Sequence, residues 1–195
     1  MIRLFTALCK SLLEVICDEE LFKDATGRYR YHNETCPCCG AAGKISAYGS
    51  YSRNLVYHKG GKIIDSRVMP LRFKCKSCGA THALLPDIII PYSPYNLVFV
   101  LTVLIAYFDR ETTVVNICER FGIAVSTLYE WKKRIASHKD LMLGILISQK
   151  TPTLAFLRGL LGHGALSETL RTFFHKYGFS FMQNRPASAS RSRPP

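Results

Sequence analysis

The chain has 195 residues, about half of them apolar, and sets 26 Lys and Arg against 14 Asp and Glu for a formal net charge of +12. That is enough apolar material to bury a core in one or two small domains, which excludes a disordered chain. The excess of cations makes a polyanion the expected partner, nucleic acid before an acidic membrane.

The opening stretch "MIRLFTALCKSLLEVICDEELF" predicts an amphipathic helix within residues 1–30, with Leu4, Leu12, Leu13 and Ile16 on its apolar face. Charged residues interrupt it and no small-residue cleavage site follows, so it does not read as a signal peptide. The most apolar run, "NLVFVLTVLIAYFD", is shorter than the roughly 20 residues that cross a bilayer and predicts a buried helix, with no membrane partner. Without an export signal the eight cysteines belong in a reducing compartment, and the expected location is the bacterial cytoplasm, at the nucleoid. There, metal ligation is favoured over a disulfide framework.

Residues 31–88 predict a small β module, because short β-rich pieces ("KISAYG", "NLVYH", "RVMPLRFK") lie between glycine clusters and "HKGGK" reads as a hairpin turn. In "RVMPLRFKCK", Met69, Leu71 and Phe73 alternate with Pro70, Arg72 and Lys74, giving one apolar and one basic face, and Pro70 restricts that strand to a sheet edge. The cysteines of this module fall into register. "CPCCG" and "CKSCG" align as Cys-x-x-Cys-Gly when Cys36 pairs with Cys39 and Cys75 with Cys78, which leaves Cys38 at a spacer position as the alternative ligand. Two such turns supply four thiolates to one tetrahedral ion, Zn²⁺ before iron, and four protein ligands leave no open position for catalysis. The predicted unit is a structural zinc ribbon. His58 and His82 read as surface histidines rather than spare ligands, and Cys9, Cys17 and Cys118 as core thiols.

"LLPDIIIPYSPYN" reads as a stiff connector. In residues 95–139, "VNICERFGIAVSTLYEWKKR" fits a helix-turn-helix: Gly122 at the turn, Cys118 as the small residue of the first helix, and Ile117, Phe121, Ile123, Leu128 and Trp131 facing inward. That places Val125, Ser126, Tyr129, Glu130 and Lys133 outward on the second helix, where base edges would lie, and Lys132, Lys133 and Arg134 close it with charge that either holds phosphate or complements the helix dipole; an ordinary helical hairpin is the alternative to DNA binding. Arg72, Lys74 and Lys76 offer a second basic surface on the ribbon. Ala124 lacks the oxygen of a good helix cap. Residues 140–182 predict further apolar helices in which "LMLGILI" and "LAFLRGLLG" suit a homodimer interface and ordinary core packing equally, and 183–195 a disordered basic tail.

Together the Cys-Pro-x-Cys-Gly knuckle, a hairpin, "RFKCKSCGATHALLP" and the helical pair resemble the zinc-ribbon plus helix-turn-helix region of bacterial insertion-sequence transposases and their small DNA-binding companion proteins, over about residues 36–138. The resemblance implies recognition of element ends in double-stranded DNA and a transposase catalytic subunit as partner. It does not bring an active site. After His138 the acidic residues are Asp140 and Glu168, too few for a carboxylate–Mg²⁺ centre, and Asp87 and Asp109 read as caps or surface groups. The expectation is an α+β, non-enzymatic, zinc-stabilised DNA-binding protein, with a transcriptional regulator or a zinc-ribbon adaptor for another protein as the alternatives.

Overall fold

Gly60 and Gly61 both take positive φ, 56° and 79°, the pair of left-handed residues that a two-residue hairpin turn needs. They join β3 (Arg53–Lys59) to β4 (Lys62–Val68) in a register running from Lys59↔Lys62 to Arg53↔Val68. The computed structural model describes residues 2–4, 29–162 and 166–184, and is α+β. Before the hairpin come β1 (Ile2–Leu4) and β2 (Ile45–Ser50); after it come β5 (Leu71–Cys75) and β6 (Thr81–Pro86). These four form one sheet in the order β1-β6-β5-β2, with β1 parallel to β6 and the other pairs antiparallel.

Two readings of this region need correcting. The long strand "RVMPLRFKCK" is two strands, because Pro70 has no N–H to give a ladder and the chain breaks at Met69 and Pro70. With Pro70 outside the pairing, β5 is a central strand bonded on both sides, not an edge. Residues Ile2–Leu4, expected as the start of a helix, lie in β1. The rest of that expected helix, with Cys9 and Cys17, lies outside the described residues, as does the expected tail from residue 185 onward.

Helices follow in chain order: α1 (Leu97–Phe108), α2 (Val114–Phe121), α3 (Val125–Leu143), α4 (Ile145–Lys150), α5 (Thr153–Gly162) and α6 (Leu166–Tyr177). Asn96 starts α1 by accepting the Phe99 N–H at 2.7 Å, a cap that contributes about 1 kcal/mol. Leu97, Phe99, Val100, Leu101, Val103 and Leu104 are all buried, so α1 is apolar nearly all round and forms the axis of the main core. The β3–β4 hairpin belongs to that core: Leu55, Tyr57 and Val68 pack with the helices, and Val56 exchanges backbone bonds with Pro94 and Asn96 at 2.7 and 3.0 Å. The expected connector is core as well. Ile88, Ile89 and Ile90 are fully buried, and Asp87, expected as a cap or surface group, is buried, accepting the Ile88 N–H at 2.9 Å and the Ser167 hydroxyl at 2.6 Å.

A smaller core of Cys36, Ile45, Phe73, Cys75 and Leu84 sits under the cysteines. Strand β6 serves both, since alternate residues point to opposite faces: Leu84 enters the small core and Leu85 the large one.

The C-terminal segment closes over α3. Met182, at φ 61°, donates its N–H to His138 Nδ1 at 2.9 Å, while its carbonyl accepts from Arg134 at 3.1 Å, and the rings of Phe173, Phe179 and Phe181 surround the imidazole. Burial, and after it the Arg134 charge, push His138 down to about 4. An unfolded histidine titrates near 6.5, so the unfolded chain takes the proton first as pH falls. Stability from this residue is therefore complete above pH about 6.5 and is lost progressively toward pH 4, by up to about 3 kcal/mol. Denaturation midpoints compared at about pH 7 and about pH 4.5, with the His138 titration followed by NMR, check this.

Candidate functional site

The first knuckle precedes β2 and the second joins β5 to β6, and the two have the same local wiring. Cys36 donates its N–H to the Ala41 carbonyl at 3.0 Å and accepts the Gly40 N–H at 2.9 Å; Cys75 does the same with Ala80 and Gly79 at 2.9 Å each. The bend requires a left-handed residue after the second cysteine of each motif, and Gly40 and Gly79 supply it at φ 74° and 73°. A bond from the Lys76 N–H to the Lys44 carbonyl, 2.8 Å, ties one knuckle to the other.

This brings Cys36, Cys39, Cys75 and Cys78 together with their sulfurs all within 4.8 Å of one another, the one group among the described residues able to hold a metal ion. Two of the pairs cross between knuckles at 3.8 Å each, Cys36 to Cys78 and Cys39 to Cys75. A metal with four sulfur arms of about 2.3 Å requires tetrahedral edges of about 3.8 Å, so the site fits a single four-coordinate ion and is too wide for disulfides. Cys38 is exposed and outside this set. Its backbone still contributes, donating an N–H to the Cys36 sulfur at 3.4 Å.

Metal binding needs thiolates. The Cys75 thiol is pulled down to about 7, first by the Cys78 N–H aimed at its sulfur and against the opposing effect of burial. Cys78 moves the other way: the Ala80 N–H favours its thiolate, but burial and the hydrogen-bonded thiols of Cys36 and Cys75 outweigh it. An ion bound to all four removes this competition for protons.

Of the two histidines, His58 is exposed as expected, whereas His82 is not a surface group. It is buried on β6 with Nε2 3.3 Å from the Cys36 sulfur, a hydrogen-bonding distance, and burial holds its pKa below the ordinary value. With Cys36 ionised, Nε2 carries the proton and donates it to the sulfur. With an ion in the site, this bond would orient Cys36 toward it. The sequence signal for it is only its place at an inward position of β6, next but one to Leu84.

The second candidate element is the pair α2–α3. Thr113 caps α2 by accepting the Asn116 N–H at 3.3 Å, and Gly122 ends it in left-handed conformation, φ 57° and ψ 39°. A side chain there would cost roughly 1–2 kcal/mol. Ala124 begins α3 without a side-chain cap, as expected. Ile117, Cys118, Phe121, Ile123, Leu128 and Trp131 are buried, with the Trp131 ring edge-on to Tyr95 and Phe99 at 5.0 and 6.3 Å. The hairpin braces this turn, its Ile63 side chain lying 4.0 Å from where a Cβ on Gly122 would be.

On α3, Val125, Ser126, Tyr129, Glu130 and Lys133 are exposed. Lys132 and Arg134 are half-buried and already bonded within the fold: Lys132 donates to the Tyr107 hydroxyl at 2.8 Å and lies over the Tyr107 and Tyr129 rings, and Arg134 holds Met182. Arg72 and Lys74 project from the outer face of β5 beside the exposed ring of Tyr48, their charges 5.7 and 5.6 Å from its centre, and Lys76 is exposed in the second knuckle. Of "LMLGILI", Leu141 to Leu143 pack against the core while Ile145, Leu146 and Ile147 are exposed. No helix among the described residues is long and apolar enough to cross a membrane.

Residues 36–131 match the model of a family described as a domain of unknown function (DUF6431). The matched segment opens on the first cysteine of the cluster and closes on Trp131, so it takes in the four sulfurs and the packed part of the helical pair. No curated protein and no solved structure matches the chain.

Proposed function

We propose that this protein is a non-catalytic, sequence-specific binder of double-stranded DNA, with one structural zinc ion in the four-cysteine site, serving a transposable element either as the DNA-binding segment of a transposase or as its accessory protein. The observation that carries the reading is the α2–α3 pair. Ile117, Phe121, Leu128 and Trp131 are buried in the core and left-handed Gly122 ends α2, which leaves Ser126, Tyr129, Glu130 and Lys133 exposed along one side of α3, Tyr129 lying edge-on to the Tyr107 ring at 6.4 Å. A helix-turn-helix reads the major groove with such a face. A recess of about 570 Å³ at the start of α2, whose walls include Arg110, Thr112 and Thr113, offers a cation and two hydroxyls to a backbone phosphate.

Zinc is the ion because four thiolates in a closed tetrahedron suit a soft, redox-silent metal. The exposed run Ile145–Ile147 supports a homodimer, the usual state of proteins that read paired half-sites. A transcriptional regulator would use the same parts.

Selection of bound duplexes from a random pool by the zinc-loaded protein tests the reading, and recovery of no preferred site would remove it. Affinity for any duplex should also fall steeply with salt, the logarithmic slope being about −0.9 for each phosphate neutralised. A titration of binding from low to physiological salt measures that slope. A flat line would favour an adaptor that docks on another protein.

A further inference from the structure

The outer face of the ribbon sheet ends in an open cleft of about 540 Å³ whose walls include Tyr51, Arg53, Arg72, Thr81, Pro91 and Tyr92. That is the size of a small-ligand site, with room for one nucleotide but not for a duplex. The rim is unusual. Ile90 to Ser93 form a tight turn closed by the Ser93 N–H on the Ile90 carbonyl at 3.3 Å, with Pro91 at its second position. The third position is left-handed, φ 61°, and is occupied by Tyr92 where glycine or asparagine ordinarily stands. Tyr92 is also 87% exposed, the most exposed of the large apolar side chains among the described residues. A strained backbone that presents a ring to water does nothing for packing.

The turn is held in place from the cleft side. Arg53 donates from its guanidinium to the carbonyls of both Ile90 and Ser93, on either side of the tyrosine. Across the cleft, Arg72 is steadied by Thr81, whose hydroxyl accepts from it at 3.2 Å, and by the Tyr48 ring. An exposed aromatic side chain on a backbone held in place, lining the same cleft as a hydrogen-bonded guanidinium, supplies the two groups that hold a single-stranded nucleotide, a ring for the base and a cation for the phosphate.

We propose that this cleft binds an unpaired nucleotide of a DNA strand, the base stacked on Tyr92 and its phosphate held by Arg72. The inference rests on the DNA-binding reading above and adds to it a second ligand form, a frayed or single-stranded end next to the duplex that α3 reads. Arg53 is a positioning residue: it touches the turn, not the nucleotide.

The test uses the full chain purified with zinc and two fluorescein-labelled probes at one salt concentration, a short oligodeoxythymidine strand and a mixed-sequence duplex of the same length. Tyr92→Gly relieves the left-handed backbone and should not lower the melting temperature, while single-strand affinity falls roughly 5- to 150-fold, the range expected for removal of one base stack. Tyr92→Leu keeps an apolar side chain without a ring and should weaken binding to the same extent; Tyr92→Phe should bind like the original protein. Duplex affinity should stay within about two-fold for all three, since α3 and its phosphate contacts are untouched. Single-strand binding unchanged in Tyr92→Gly and Tyr92→Leu, with duplex binding intact, overturns the cleft and leaves the DNA-binding reading standing. Equal weakening on both probes also overturns it. Failure of the unaltered protein to bind either probe removes both.

Discussion

Replacing Cys75 by serine should release the metal and melt the β2–β5 end of the sheet, whereas Cys38→Ser should leave both in place. The four sulfurs lie on two knuckles whose small core of Cys36, Ile45, Phe73, Cys75 and Leu84 contains two of these cysteines, so an ion bound there would supply much of what holds this end of the sheet together. Structural zinc in small peptides contributes on the order of 10–16 kcal/mol, folding included, which is more than a cluster of five side chains can replace. The Cys75 thiol is also drawn down to about 7, first by the Cys78 N–H of its own turn. Cys38 offers the site only its backbone N–H, and serine keeps that. Metal content per chain should therefore fall from about one to near zero in the first variant and stay at about one in the second. Hydrogen exchange should show β2 and β5 unprotected after Cys75→Ser and α1 to α6 still protected, because the helices have their own core, to which β6 contributes Leu85. Equal metal loss in both variants would mean that Cys38 shares the ion, and retention in both would mean that these cysteines do not hold it.

What could be read from the amino acids was local. Cys-x-x-Cys-Gly states both the ligand spacing and the left-handed residue after it, and the structure has Gly40 and Gly79 in that conformation. The α2–α3 pair was legible for the same reason, since Gly122 and the helical spacing of Ile117, Phe121, Leu128 and Trp131 lie within one short stretch. What was missed depends on partners distant in the chain. Nothing near Val56 announces that its backbone pairs with the segment at Pro94 to Asn96, yet that pairing turns an apparent ribbon insert into a wall of the helical core. Ile88 to Ile90 look like a linker between prolines until the hairpin and α1 close on them. Pro70 misleads because a proline within an apparent strand reads as the mark of an edge, whereas the chain uses it to separate β4 from β5 and so leaves β5 free to pair on both sides. Charge was legible as a total but not as a surface. Arg134 and Lys132 read as phosphate contacts from position alone, and only their bonds to Met182 and Tyr107 reveal that part of the basic end of α3 holds the fold.

With Lys132 and Arg134 engaged in the fold, the proposed DNA-binding role rests on the exposed face of α3, where Lys133 is the remaining cation of that basic end. Ser126 and Lys133 are exposed on α3, and neither packs in the core, so Ser126→Ala with Lys133→Ala removes groups that could meet DNA and little else. Each base edge that goes unread should reduce the preference for a selected site over random duplex by roughly 1–3 kcal/mol, with non-specific binding much less affected. Arg72→Ala with Lys74→Ala should behave differently, because a cationic strand face can neutralise phosphates without distinguishing bases. Binding to every sequence should weaken by a similar factor, and the salt slope should become shallower by about 0.9 for each phosphate no longer neutralised. Competition binding with the selected duplex and a scrambled one, repeated across a range of salt, separates the two effects, since preference is read at fixed salt and electrostatics from the slope. A loss of preference in the strand variant with only a uniform weakening in the helix variant would assign sequence reading to the ribbon sheet and leave α2–α3 as its anchor on the backbone.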